Sequence, residues 1–410
     1  MYDSALFSQF DGFPSLDWSD VAARVSSSVR GPLEKVLETQ DGGALSLEEC
    51  CALANCEGED LLGLLVAANT LRSELVGNIV TYVVNRNMNF TNICFVGCKF
   101  CAFSRGPREA DTYFHTPEQM AEKAIEAWQI GATEVCIQGG LPRNLPKFYY
   151  RDVLLAIKKA VPRMHIHAFS PMEIVYGVEL TGMPLADYLA MLRDAGLDTL
   201  PGTAAEILDD EIRHILSANK LSTAQWIEVI RTAHKCGIRS TSTLMYGHAE
   251  TPAHWVRQMR LLREIQSETG GFTEFVPLGF VHQNTILFAQ GLSRTGPTLP
   301  EHLKVHALAR VLLAGSINNI QVSWVKLNRE LSQLCLHAGA NDYGGTLMEE
   351  NISREAGATA GQYTSPEDFQ ALILEAGRIP AERNTTYSRI KIKAPLDAYT
   401  AEQSLEAEFA

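Results

Sequence analysis

The chain has 410 residues, 46% hydrophobic and 20% charged, enough to build one large globular domain or two ordinary ones. Its 35 lysines and arginines face 48 aspartates and glutamates, a net charge of −13 that no basic run offsets. That balance argues against nucleic acid and against an anionic membrane surface as partners, since both call for a basic face.

In chain order, the opening "MYDSALFSQFDGF" lacks the basic-then-apolar pattern of a signal peptide. Residues 1–75 read as a helical extension: "SLEE" at 46–49 is a capping-box signature, and "GEDLLGLLVAANTLRSELVG" follows with helical apolar spacing. Its longest apolar stretch, "LLGLLVAA" at 61–68, is too short to cross a bilayer. Cys50, Cys51 and Cys56 read as packing residues there. The nine cysteines, odd in number and mostly scattered, fit a reducing cytoplasm better than a disulfide framework.

From about residue 78 short β-rich runs alternate with helical ones. The expected strands are 80–90, 133–138, 164–170, 197–202, 239–246, 272–278, 320–325 and, more weakly, 341–347. Thr116-Pro117 with Gln119, Ser222 with Gln225, and Thr251-Pro252 mark helix starts between them. About eight β-then-α units favour a closed (β/α)8 barrel of the TIM type over 76–350, rather than a doubly wound sheet. Residues 351–410 are expected to add a helix at 365–377 and an acidic tail, packed on the barrel or trailing from it. The lysines Lys158 and Lys159 and the arginines Arg260 and Arg263 read as solvated helix faces, and His165 with His167 as two side chains on one strand face.

Barrels of this kind place their chemistry at the C-terminal ends of the strands. Those ends are polar and glycine-rich here: "QGG" at 138–140, "FSPME" at 169–173, "PGTAAE" at 201–206, "YGHAET" at 246–251, "FVHQNT" at 280–285 and "GANDYGGT" at 339–346. A shared site at that end is expected.

The loop after the first strand, "TNICFVGCKFCAF", holds Cys94, Cys98 and Cys101 as C-x3-C-x2-C. Three thiolates are one short of the usual four-ligand cage. A zinc site completed by Cys136 or His115, in a binding protein without catalysis, is one reading, but the second C-x2-C dyad common in zinc motifs is absent. Cys136 lies inside an apolar strand, where a thiol behaves as a small hydrophobe. The spacing, with Phe100 just before the third cysteine, resembles the signature of the radical S-adenosylmethionine superfamily. The resemblance implies a 4Fe-4S cluster on Cys94, Cys98 and Cys101, with S-adenosylmethionine chelating the fourth iron through its amino and carboxylate groups. It also implies reductive cleavage of the sulfonium to methionine and a 5′-deoxyadenosyl radical.

Beyond that loop, "VVNRNMNFTNIC", "CKFCAFSR", "GATEVCIQGGL", "MHIHAFSPMEI", "AGLDTLPGTAAEILDDEIR", "STSTLMYGHAETPAHWV", "TGGFTEFVPLGFVHQNT" and "GANDYGGTLMEENISREAGA" resemble one family within it. This is the family of 5-amino-6-(D-ribitylamino)uracil–L-tyrosine 4-hydroxyphenyl transferases, the tyrosine-using half of deazariboflavin synthase; the match runs over about 75–390. The implied reaction cleaves L-tyrosine between Cα and Cβ, releases 2-iminoacetate and adds the 4-hydroxybenzyl group to C5 of 5-amino-6-(D-ribitylamino)uracil, on the way to coenzyme F420. A second radical enzyme is implied as partner, because only one cysteine motif is present, together with a reductant protein. The alternative is an aminofutalosine synthase of menaquinone biosynthesis, which shares the cluster loop and barrel.

The resemblance also distributes roles. Phe100 is expected beside the adenine, Gln138, Gly139 and Gly140 beside the methionine moiety, and Glu206 near the ribose or amino acid end. Glu206 reads equally well as a first-turn helix carboxylate. Ser170 is expected to contact cofactor or substrate, and Glu173, Tyr246, His248, His282, Gln283 and Asn284 the substrates. No catalytic residue is singled out.

Overall fold

The computed structural model describes residue 10 and residues 12–393. Strands β1 (Ile79–Val83) and β2 (Asn85–Met88) are one run interrupted at Val84. After them come β3 (Glu134–Ile137), β4 (His165–Ala168), β5 (Thr199–Leu200), β6 (Arg239–Tyr246), β7 (Phe272–Gly279) and β8 (Asp342–Gly345). Strands β2 to β7 pair in sequence order, each parallel to the next. Parallel bridges Phe275–Ile320 and Gln321–Asp342 then lead to β8, which pairs with β1 through Thr81–Asp342 and Val83–Gly345. The circle therefore closes on eight strands, with helices outside, as the strand count predicts. The strand expected at 320–325 shrinks to those two bridges, because the chain turns into a 3-10 helix at Trp324–Lys326.

Local sequence explains the outer helices. Thr116 with Gln119, Ser222 with Gln225, and Thr251 with His254 all form capping boxes, and Pro117 and Pro252 open their helices. Each helix turns an apolar stripe inward, such as Val153, Leu154 and Ile157, or Trp226, Val229 and Ile230, onto strand residues Val135, Ile166 and Leu200. Val135 and Ile166 point out to the helices, so their strand neighbours Cys136 and His167 point into the barrel.

Helix Leu47–Asn55 packs on the barrel helices Pro252–Thr269 and Leu299–Leu313, Gly58–Val76 packs on Leu299–Leu313, and Ser27–Thr39 packs on these two N-terminal helices. Arg260 and Arg263, read as a solvated face, are the clasp of this contact. Arg260 donates to the Leu45 carbonyl (3.0 Å), and Arg263 joins Asp41 (2.5 Å) of the extension to the Leu312 (3.2 Å) and Ala314 (2.6 Å) carbonyls of the barrel. Lys158 is likewise engaged, bridging Asp198 (2.7 Å) and the Met164 carbonyl (2.8 Å).

Beyond residue 350 the expected helix forms at Pro366–Glu375, but two unexpected strands follow. β9 (Ile379–Arg383) runs parallel to β1, and β10 (Ile390–Ile392) folds back on it. Arg383 then turns under the barrel. Its guanidinium bonds Asp342 (2.6 and 3.0 Å) and Glu274 (3.1 Å), while Thr385 reaches Glu134. A charged floor thus closes the end of the barrel opposite the polar strand ends. The acidic tail expected at the extreme C-terminus lies outside the described residues.

Candidate active site

The cysteine loop leaves β2 and is pinned across the barrel mouth by backbone bonds. Gly140 donates to the Thr91 carbonyl (2.8 Å), Phe95 to Leu141 (3.0 Å) and Lys99 to Leu216 (2.9 Å). A Cβ on Gly140 would stand 2.2 Å from the Ile93 carbonyl oxygen, and one on Gly139 would stand 2.6 Å from the Phe90 ring. The two glycines expected to let a ligand approach are thus needed first to let the cysteine loop approach.

Cys94, Cys98 and Cys101 are free thiols that line one cavity of about 400 Å³ at the C-terminal ends of the strands. Burial pushes the Cys98 thiol up to about 11, opposed by the nearby Lys220 charge; Ser217 Oγ donates to its sulfur (3.1 Å). Burial also raises the Cys101 thiol, while the amides of Phe103 and Ser104 donate to its sulfur. Lys220 is the cation of this wall: its Nζ is 2.6 Å from Glu206 Oε1 and 5.1 Å from the centre of the Phe100 ring. Burial works to lower its pKa, but Glu206 and Cys98 outweigh that and hold it above the ordinary lysine value.

Phe100, Gln138, Gly139, Gly140, Ser170, Glu173 and Glu206 line the same cavity, so these expected residues are brought together with the cysteines. Two of them have structural duties as well. Ser170 and Glu173 form the capping box of helix Pro171–Thr181, and Glu173 also accepts from the Gly139 amide (3.1 Å). Burial raises the Glu173 carboxyl to about 7 despite those bonds.

The other five expected substrate contacts lie elsewhere. The Tyr246 hydroxyl bonds His302 Nδ1 (2.6 Å) behind the strand, and His248 is locked between the Met245 carbonyl (2.9 Å) and Glu250 (3.2 Å). His282 packs on the Phe288 ring, and the Gln283 side chain lies against Gly357. Asn284 donates to the carbonyls of Ala356 (3.2 Å) and Glu355 (2.9 Å). The polar atoms of Tyr246, His248 and Asn284 are thus engaged within the fold, by His302, by the Met245–Glu250 turn and by the backbone at 355–356. His165 and His167 both meet Thr199 Oγ1, at 2.8 and 2.7 Å.

The cavity also has members that no sequence pattern marked. Besides Lys220 these include Asn87 on β2, and Gln321, Lys326, Glu350 and Ser353 from the last part of the barrel. Lys326 Nζ donates to Ser353 Oγ (2.6 Å); burial lowers its pKa, with Glu350 pulling the other way. Lys220 sits in the bend after helix Asp210–Ser217 and Lys326 ends the 3-10 helix Trp324–Lys326, short segments in which no periodicity singles out a side chain.

Residues 88–262 match the family model of the radical SAM superfamily, and 269–396 that of the CofH/MqnC C-terminal region. The chain is 46% identical to the 5-amino-6-(D-ribitylamino)uracil–L-tyrosine 4-hydroxyphenyl transferase of Methanothermobacter thermautotrophicus, over 89% of this chain and 99% of that one. The chain belongs to this transferase family. It is also 50% identical to the FO synthase of Nocardia farcinica over 91% of its own length, but it spans only 42% of that protein. The same holds for the FO synthase of Mycobacterium leprae, at 50% identity over 90% of this chain and 42% of that protein. Two solved structures share the fold: the FeFe-hydrogenase maturase HydG (TM-score 0.69, 15% identity, 92% of this chain, 80% of that one) and methylornithine synthase (TM-score 0.59, 18% identity, 83% and 99%).

Membership of a radical S-adenosylmethionine family implies a 4Fe-4S cluster, and the donor set suits one. Among the described residues no three His, Cys, Asp or Glu side chains converge on a single ion. A mononuclear zinc site needs all its ligands about 2.0–2.3 Å from one centre. Three separate thiols on one cavity wall, with a lysine and backbone amides directed at them, suit a larger cluster whose ligands bind different irons.

Proposed function

We propose that the chain cleaves L-tyrosine between Cα and Cβ and transfers its 4-hydroxybenzyl group to C5 of 5-amino-6-(D-ribitylamino)uracil, releasing 2-iminoacetate. The observation that carries this reading is one cavity that joins three free cysteine thiols to a second, polar wall from the last strands. The family relationship to the named transferase supports the choice of substrates over those of an aminofutalosine synthase. When bound, a 4Fe-4S cluster held by Cys94, Cys98 and Cys101 together with S-adenosylmethionine would supply radical chemistry able to abstract a hydrogen atom.

The rest falls to the protein's own residues. Cys94, Cys98 and Cys101 hold the cluster, and Phe100, the backbone at 138–140 and Glu206, steadied by Lys220, hold the cofactor. The barrel wall excludes water and keeps the hydroxybenzyl fragment next to its acceptor carbon. Proximity of this kind is worth up to roughly 7–11 kcal/mol. The chain spans 42% of an FO synthase; a second radical active site would close the deazaflavin ring, and a reductant protein would feed both. No helix among the described residues is long and apolar enough to cross a membrane; a cytoplasmic location is part of the proposal.

The test is anaerobic incubation of cluster-loaded protein with ring-labelled tyrosine and the diaminouracil, read by product mass. A labelled, non-fluorescent uracil adduct is expected. Consumption of an enolpyruvyl benzoate instead would move the chain to the menaquinone branch, and deazaflavin fluorescence without a second enzyme would remove the partner.

A further inference from the structure

Lys326 and Glu350 carry opposite charges into the cavity, and no ion pair joins them. Both are tied instead to one serine: Lys326 Nζ donates to Ser353 Oγ (2.6 Å), and the Ser353 amide donates to both Glu350 oxygens (3.2 and 3.0 Å). The two charges are therefore neighbours held apart by a single residue. Lys326 uses one of its three donors in this way, and Glu350 meets only one amide, so each keeps unspent hydrogen-bonding capacity beside the cavity it lines. A half-buried ammonium and a buried carboxylate so thinly satisfied by the protein are placed to be completed by a ligand in the cavity they line.

We infer that Lys326 and Glu350, set by Ser353, are the receptor for the zwitterion of the amino acid substrate: Lys326 pairs with its α-carboxylate and Glu350 accepts from its α-amino group. Three observations favour this ligand. An α-amino acid carries one charge of each sign on two groups of the same carbon, the complement of two opposite charges spaced by one serine. The diaminouracil carries no formal charge that would need either group. The cofactor, which is also an amino acid, is expected on the other half of the barrel, where Phe100, Gly139, Gly140, Ser170 and Glu206 line the cavity, whereas Lys326, Glu350 and Ser353 come from the segments around β8. The inference rests on the proposed function for its substrate and adds which residues select an amino acid.

Steady-state kinetics with competing analogues test it. The unaltered protein should prefer tyrosine to tyramine, which lacks the carboxylate, and to 3-(4-hydroxyphenyl)propanoate, which lacks the amine. Lys326→Met should raise KM for tyrosine on the order of 10- to 100-fold. It should also erase the preference over tyramine while leaving KM for the diaminouracil within about twofold. Lys326→Arg, which keeps the charge, should retain the preference. Glu350→Gln should lose discrimination against the propanoate, and so reads the same site if Lys326→Met does not fold. An active Lys326→Met protein with unchanged KM and unchanged preference overturns the inference and leaves the proposed function standing. Unaltered protein that adds no label from tyrosine to the uracil overturns both.

Discussion

Cys98 and Cys136 open on the same cavity, yet their electrostatic surroundings are opposite. Cys98 has Lys220 and the Ser217 hydroxyl beside it, both favouring a thiolate. Cys136 is raised far above the ordinary thiol range, first by burial and then by the carboxylates of Glu134, Glu173 and Glu350, with only a long Gln138 contact opposing them. Burial raises both thiols, Cys98 to about 11, but the lysine beside Cys98 favours the thiolate that a metal ligand needs, whereas the carboxylates beside Cys136 oppose it. Replacing Cys94, Cys98 or Cys101 with alanine should therefore abolish iron loading and its visible absorbance while the far-ultraviolet circular dichroism stays native. Cys136→Ala should load iron normally and lose about 1 kcal/mol of stability. Iron retained in Cys98→Ala but lost in Cys136→Ala would reverse the assignment. At this scale the sequence was readable where spacing carries chemistry, as in the cysteine loop. It was less direct where polarity alone was the signal: His248 at its strand end closes its own turn onto the Met245 carbonyl, and Asn284 ties its loop to the backbone at 355–356, because buried carbonyls also need polar partners. Lys326 and Glu350 gave no signal, because their meaning lies in a serine between them that only the fold supplies.

Among the elements, helix starts were the plainest to read. A Ser or Thr followed three residues later by Gln or Glu is a local bond pattern that needs no tertiary context, and the boxes at Ser46, Thr116 and Ser222 all form. Strands β9 and β10 were missed because "IPAER" is short, half polar and interrupted by Pro380, features that argue against a strand in the absence of a neighbour. Its neighbour is β1, which comes from the other end of the chain, and what fixes it is Arg383. That guanidinium is buried against Asp342 and Glu274 and stacks over the Tyr387 ring at 4.1 Å. Arg383→Met should destabilise the barrel by about 3–5 kcal/mol, because two buried carboxylates would lose their counter-charge. Arg383→Lys should recover only part of this, since an ammonium cannot match the bidentate bonds to Asp342. The measurement is the urea midpoint at constant slope. A midpoint unchanged in Arg383→Met would mean that the floor is not held by this residue.

For the molecule as a whole, the eight-strand count survived because each β-then-α unit carries its own periodicity, while the closure at 320–321 depends on two single bridges. That closed barrel also buries histidines that ordinarily titrate near pH 6.5. Burial holds His302 down at about 3, and His306 and His167 at about 4. His302 and His306 lie one turn apart on the buried helix Leu299–Leu313, and His306 Nδ1 is bonded to the His302 carbonyl (2.7 Å). A depressed histidine pKa means that the native state binds fewer protons than the unfolded chain between about pH 4 and pH 6.5. Stability from these groups is therefore fully present above 6.5 and declines as pH falls through that window, by roughly 3–5 kcal/mol per fully buried ring. Glu173 and Glu274 act with the opposite sign: burial raises both to about 7, so each favours folding as pH drops from 7 toward 4.5. Two carboxyls do not match three histidines whose displacement is at least as large, so the histidines set the direction. Melting temperature should be nearly flat between about pH 7.5 and about pH 6.5 and fall between about pH 6.5 and about pH 4.5. Substituting glutamine for His302 should flatten the profile, even though it lowers stability at neutral pH by removing the bond to Tyr246. A melting temperature independent of pH across that range would show that these rings are not held neutral by the fold.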